Sequence, residues 1–130
     1  MVFALLPGSP LGNIPTFSTV TRDTFVANAT LTATLALQIA LDIAEAMAHL
    51  HGQGIVHGDL YAHNIILDRA QSRVYLTDLG AAFLVPEASL AKPLERIEVR
   101  AYGLLVEDIL QLWHDPLGRS WQSLRGMQSL

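Results

Sequence analysis

Three oxygen-bearing side chains stand at intervals that chemistry can use: Asp59, Asn64 five residues later, and Asp78 fourteen beyond that. The first two lie in HGDLYAHNIILD, His57–Asp68, where two acids, two histidines and an asparagine sit between runs of Leu, Ile and Val. Asn and Asp oxygens at one end of a hairpin suit Mg²⁺, a hard cation that takes few protein ligands and shares the rest of its shell with phosphates and water. A neighbouring acid that is not a ligand can accept a proton from a hydroxyl nucleophile. Two ligands and a separate base are equipment for phosphoryl transfer. The plainer reading is that Asp and Asn cap turns here, as they often do.

The flanking elements must bring these residues together. Leu31, Leu35, Ile39, Asp42/Ile43, Met47 and Leu50 recur at helical spacing, so a long helix is expected from near Leu31, capped by Asn28 or Thr30 and stopped by Gly52 or Gly54. IVHGDLYAHN is too polar and too mixed for helix or strand. IILD and VYLTD, separated by RAQSR, read as a hairpin that carries Asn64 and Asp78 to the same end. LGAAFLVPEASLAKPL reads as a loop closed by Pro86 and Pro93. IEVRAYGLLVEDILQLW reads as a second helix with Ile97, Ala101, Leu104/Leu105, Asp108/Ile109 and Leu112 on one face. Val2–Leu6 is expected to be a short buried strand ended by PGSP. An irregular, proline-broken linker follows, in which Arg22 and Asp23 read as a solvated turn. RSWQSLRGMQSL is a short terminal helix candidate.

LHGQGIVHGDLYAHNIILD followed by VYLTDLG resembles the catalytic loop and metal-binding turn of the eukaryotic-type protein kinase superfamily. The resemblance runs from about Val2 to Leu112. It implies an α+β, mainly helical C-terminal lobe of kinase type with a short β-hairpin at the active site, and an ATP- and Mg²⁺-dependent phosphotransferase of serine/threonine-like type. Asp59 matches the catalytic base, Asn64 and Asp78 the metal ligands, and Ile66 the floor under the adenine. Glu98 stands where the family has an Asp that holds the catalytic loop's backbone. His57 is expected to pack under the loop, and His63 to lie on the substrate side. His49, His51 and His114 read as helix-end or surface residues without metal-ligand spacing.

Several positions depart from the family. Gly58 replaces the usual Arg, a variant shared with small-molecule phosphotransferases of aminoglycoside and choline type. Tyr61 replaces the Lys of serine/threonine kinases, and Leu79 the usual Phe. No Ala-Pro-Glu follows Gly80. Upstream of the long helix there is no Gly-rich phosphate loop, strand Lys or helix Glu. Residues 1–130 are therefore expected to form a partial domain, hinge and large lobe without the N-terminal lobe. Two alternatives stand beside the protein kinase: a small-molecule kinase, and an inactive, truncated pseudokinase-like module acting through an exposed apolar face.

Composition limits the partners. The net charge of −4, with no basic run, argues against nucleic acid. The absence of cysteine removes disulfide scaffolds, thiolate zinc sites and cysteine nucleophiles. Hydrophobic residues make up 51% and charged residues only 15%, so either the genome favours Ala and Leu or a partner covers apolar surface. MVFALLPGSP lacks the basic start of a signal peptide. LTATLALQIALDIAEAMAHL carries Asp42 and Glu45, which argues against a membrane span. A cytoplasmic protein with ATP and a protein or small-molecule acceptor as partners is the resulting expectation.

Overall fold

The computed structural model describes residues 8–14 and 30–113. The expected strand Val2–Leu6, the linker charges Arg22 and Asp23, His114 and the terminal helix candidate lie outside these residues.

The apolar stripe produces α1, Ala33–Gly52, with Ala36, Ile39, Ile43 and Met47 buried. Its cap is Thr32 rather than Asn28 or Thr30: Thr32 Oγ1 accepts the Leu35 N–H at 3.2 Å, satisfying one of the donors a helix start leaves open. Leu31, expected to begin the helix, is buried and outside it. Its N–H donates to the Leu112 carbonyl at 2.8 Å, so a contact with the far end of the chain fixes where α1 begins. At a mean hydropathy of 1.2, α1 is long and apolar enough to cross a membrane, yet its Ile39–Ile43–Met47 stripe forms the centre of the core.

The hairpin forms as expected from strands β3, Ile65–Asp68, and β4, Arg73–Leu76, paired Ile65↔Leu76 through Asp68↔Arg73. It is part of a three-stranded sheet. Ser9–Pro10, expected to end a strand, is itself a short strand, β1, antiparallel to β3 with Pro10 opposite Ile66. Gly8 before it has φ 104°, and a Cβ there would lie 2.5 Å from the Leu67 carbonyl oxygen, so only glycine permits this approach.

The polar loop also holds regular structure that periodicity does not reveal. Ile55–Val56 (β2) pairs antiparallel with Phe83–Leu84 (β5), and a 3₁₀ turn spans Ala62–Asn64. The second helix, α2, runs from Ala88 to Leu112, starting well before Ile97 and passing through Pro93. Pro93 denies the Ser89 carbonyl its usual helical donor, and Ser89 is exposed, so water can replace it. The buried face of α2 keeps Leu105, Ile109 and Leu112 of the expected stripe and departs from it at the start, where Glu98 is buried in place of Ile97. Glu98, Leu105, Ile109 and Leu112 are buried, whereas Ile97 is 67% and Leu104 43% exposed. α1 packs against α2, β2 and β4, and one core runs through Ile39, Ile43, Met47, Leu60, Ile65, Leu105 and Ile109. Much apolar surface remains outside it, on α1 at Leu37 and Leu41 and on α2 at Ile97 and Val99.

Candidate active site

The loop 57–64 is held from below by two buried groups. His57 is fully buried and has both ring nitrogens engaged. The Asp59 N–H donates to Nδ1 at 3.1 Å, so Nε2 carries the hydrogen and donates to the Thr77 carbonyl at 2.9 Å. This is the packing role expected of His57, and it joins the loop to the end of β4.

The second buried group is Glu98 of α2. One carboxylate oxygen accepts the His57 N–H at 3.1 Å and the other the Gly58 N–H at 3.0 Å. His51 Nε2 lies 3.0 Å from the first oxygen, so His51 is at the end of the helix as expected but faces inward onto Glu98. A signal for it existed in the sequence: the stripe Ile39, Ile43, Met47, extended by four, reaches His51. Glu98 thus does what the family's shorter acid is expected to do, and its longer side chain also reaches α1.

Gly58 has φ 86°, and a Cβ there would lie 2.4 Å from the Ala81 carbonyl oxygen. The loop is pressed against the 78–81 turn too closely for any side chain at this position. The glycine therefore has a backbone reason independent of substrate class.

Asn64 is buried and tied to Asp59. Its side-chain nitrogen donates to the Asp59 carbonyl and to Asp59 Oδ2, both at 2.8 Å. With both amide hydrogens used, Asn64 Oδ1 is left as an acceptor. Its backbone carbonyl takes the Thr77 N–H at 2.8 Å and the Thr77 hydroxyl at 2.9 Å. Thr77 was not singled out by the sequence, yet it sets the register that brings Asp78 to the same end of the hairpin as Asn64. Asp78 is exposed and left-handed (φ 57°, ψ 79°), a conformation Asp tolerates. Its Oδ1 accepts the Gly80 N–H at 3.1 Å, leaving Oδ2 open. One amide oxygen and one exposed carboxylate suit a hard cation that keeps several waters. Among the described residues no group of three or more His, Cys, Asp or Glu side chains could form a denser metal cage.

Ile66 is half-buried between Pro10 and Tyr75, with Ile65 and Leu67 on either side buried in the core. Alternation along β3 thus turns Ile66 to the opposite face of the sheet. On the other side of the loop an apolar cleft of about 280 Å³ is lined by Tyr61, Phe83, Leu94, Ile97 and Ala101 among others. The Tyr61 ring lies on that of His63 with centroids 5.7 Å apart and planes 12° from parallel. His63 Nε2 is 3.6 Å from Asp59 Oδ2.

Residues 6–101 match the protein family described as protein tyrosine and serine/threonine kinase. The chain is 40% identical over 85 residues to a dual serine/threonine and tyrosine protein kinase of Homo sapiens, an alignment covering 65% of this chain and 9% of that protein. Proteins of the same description match from Mus musculus, at 45% over 71 residues (54% of this chain, 7% of that protein), and from Bos taurus, at 49% over 55 residues (42% and 6%). The chain therefore spans about a tenth or less of the length of these relatives.

Proposed function

We propose, for a chain that belongs to the protein tyrosine and serine/threonine kinase family, that loop 57–64 and the turn at Asp78 transfer the terminal phosphate of ATP to a hydroxyl acceptor. The observation that carries this is the Asn64 side chain. It fixes Asp59 through two hydrogen bonds of 2.8 Å and still has an oxygen for a cation beside Asp78.

In this reading Asp59 accepts the proton as the acceptor's O–H bond breaks and its oxygen bonds to phosphorus, and a nucleoside diphosphate leaves. Asn64 and Asp78 would hold Mg²⁺, which would neutralise phosphate charge when bound. The outward face of β3 at Ile66 would lie under the adenine. The family's large lobe corresponds to residues 1–130, and the cytoplasm, where ATP is available, is the proposed location. The acceptor is a protein hydroxyl not confined to serine or threonine. Tyr61 stands where a serine/threonine kinase carries Lys, and the relatives' name gives both classes.

The test compares phosphate transfer and Mg·ATP affinity for four proteins. Asp59→Asn should abolish most turnover with little change in nucleotide affinity, because it removes the proton acceptor and keeps the shape. Asp78→Ala should weaken Mg²⁺-dependent binding as well as turnover, and Asn64→Ala should do the same more mildly. Turnover of the wild-type chain is expected below the ordinary kinase range of about 1–100 per second, since its only lysine, Lys92, lies on α2 rather than over the nucleotide. Unchanged Mg²⁺ dependence in Asp78→Ala would return these residues to turn capping.

A further inference from the structure

Loop 57–64 carries two imidazoles, His57 and His63, near Asp59. His57 has no capacity left, since both of its nitrogens are engaged. His63 is differently placed. Its Nε2 lies 3.6 Å from Asp59 Oδ2, with the His63 side chain 15% and the Asp59 side chain 34% exposed. That same oxygen accepts the Asn64 amide at 2.8 Å. The Asn64 amide and the His63 imidazole thus approach one carboxylate oxygen from neighbouring residues of the same 3₁₀ turn, the first as a hydrogen bond and the second at 3.6 Å. The Tyr61 ring, stacked on the imidazole, limits how far it can swing away.

We propose that His63 is a positioning residue for Asp59: with Asn64 it pins Oδ2, so that Oδ1 faces the acceptor hydroxyl and takes its proton. The inference rests on the phosphotransfer reading above, with Asp59 as base. A carboxylate held by one donor can turn about its Cβ–Cγ bond and present either oxygen. Held by two donors on the same oxygen, it presents one. The 3.6 Å separation is longer than a hydrogen bond, and a small rotation of the carboxylate closes it. Gln suits the same task, because its terminal amide nitrogen can occupy roughly the place of an imidazole Nε2. Leu fills similar space and donates nothing.

The full 130-residue chain is compared as wild type, His63→Leu and His63→Gln by two readouts. In phosphate transfer, His63→Leu should lower kcat about tenfold, a fraction of the 10²–10⁴ that a positioned proton acceptor contributes. KM for Mg·ATP should stay within about twofold, and His63→Gln should recover kcat to within about threefold of wild type. By NMR, the Asn64 side-chain amide proton that faces Oδ2 should exchange with water several-fold faster in His63→Leu and at the wild-type rate in His63→Gln. This second readout requires no turnover. A His63→Leu chain with wild-type kcat would overturn the proposal, as would an Asn64 amide indifferent to the change. Asp59→Asn with undiminished turnover would instead sink the phosphotransfer reading, and it is distinguishable because His63 is untouched in that variant.

Discussion

Replacing Glu98 with Gln exchanges a single heavy atom and should cost far more than an average surface substitution. Glu98 is 4% exposed and accepts from the His57 N–H at 3.1 Å, the Gly58 N–H at 3.0 Å and His51 at 3.0 Å. Gln retains one accepting oxygen, which can serve His57 and His51. Its NH₂ then faces the Gly58 N–H, donor against donor. One hydrogen bond to a charged group is lost, worth about 1.5–3 kcal/mol, and a buried donor is left unmet, so the expected loss is about 2–3 kcal/mol. Glu98→Ala strands all three donors, at about 1–3 kcal/mol for each unmet group, and should cost at least about 3 kcal/mol. Against a total of about 5–15 kcal/mol for an ordinary domain, this is a large share of the stability. Glu98→Asp, the family's residue, retracts the carboxylate by one methylene and cannot span both the loop and α1. It should keep the loop contacts, lose His51 and cost about 1 kcal/mol. Urea unfolding gives the totals, and amide hydrogen exchange at Gly58 gives the local effect, since the Gln variant should expose that N–H selectively. A Gln variant within about 0.5 kcal/mol of wild type, the range of inert surface changes, with unchanged Gly58 exchange, would refute the argument.

Two further outcomes follow from single contacts. Gly58→Ala places a Cβ 2.4 Å from the Ala81 carbonyl oxygen at a φ of 86°; it should cost at least about 1–3 kcal/mol, the range for a held backbone strain, and displace the 78–81 turn, visible as altered amide shifts at Leu79–Ala81. The Tyr102 hydroxyl donates to the Ala40 carbonyl at 2.8 Å, and burial raises its pKa above the ordinary 10.0. Its contribution is therefore complete below pH 10 and is lost as pH rises through the folded value. Tyr102→Phe should cost about 1 kcal/mol at pH 7 and show a smaller further loss on going to strongly alkaline pH, measured as the shift in urea midpoint.

Some of this protein was written locally and some was not. The stripe from Leu35 to Met47 specifies α1 because burial of every third or fourth residue needs only the helix's own geometry. IILD and VYLT specify a hairpin, and the spacing of Asp59, Asn64 and Asp78 then places their chemistry at one end of it. Gly58 could be noticed as a departure, but its cause, the Ala81 carbonyl, lies in another segment. Tertiary contacts decided the remainder. Strands of two residues such as Ile55–Val56 and Phe83–Leu84 have no periodicity to read and exist only because each finds the other. α1 begins at Ala33, after its cap Thr32, where Leu31 is anchored to the distant Leu112. α2 runs through Pro93 and turns Glu98 inward, where its carboxylate accepts from the loop's two N–H groups and meets His51. Helix and hairpin follow from neighbours along the chain, whereas caps, short strands and the acid under the loop follow from partners between about 30 and 80 residues away, whose approach no local pattern encodes.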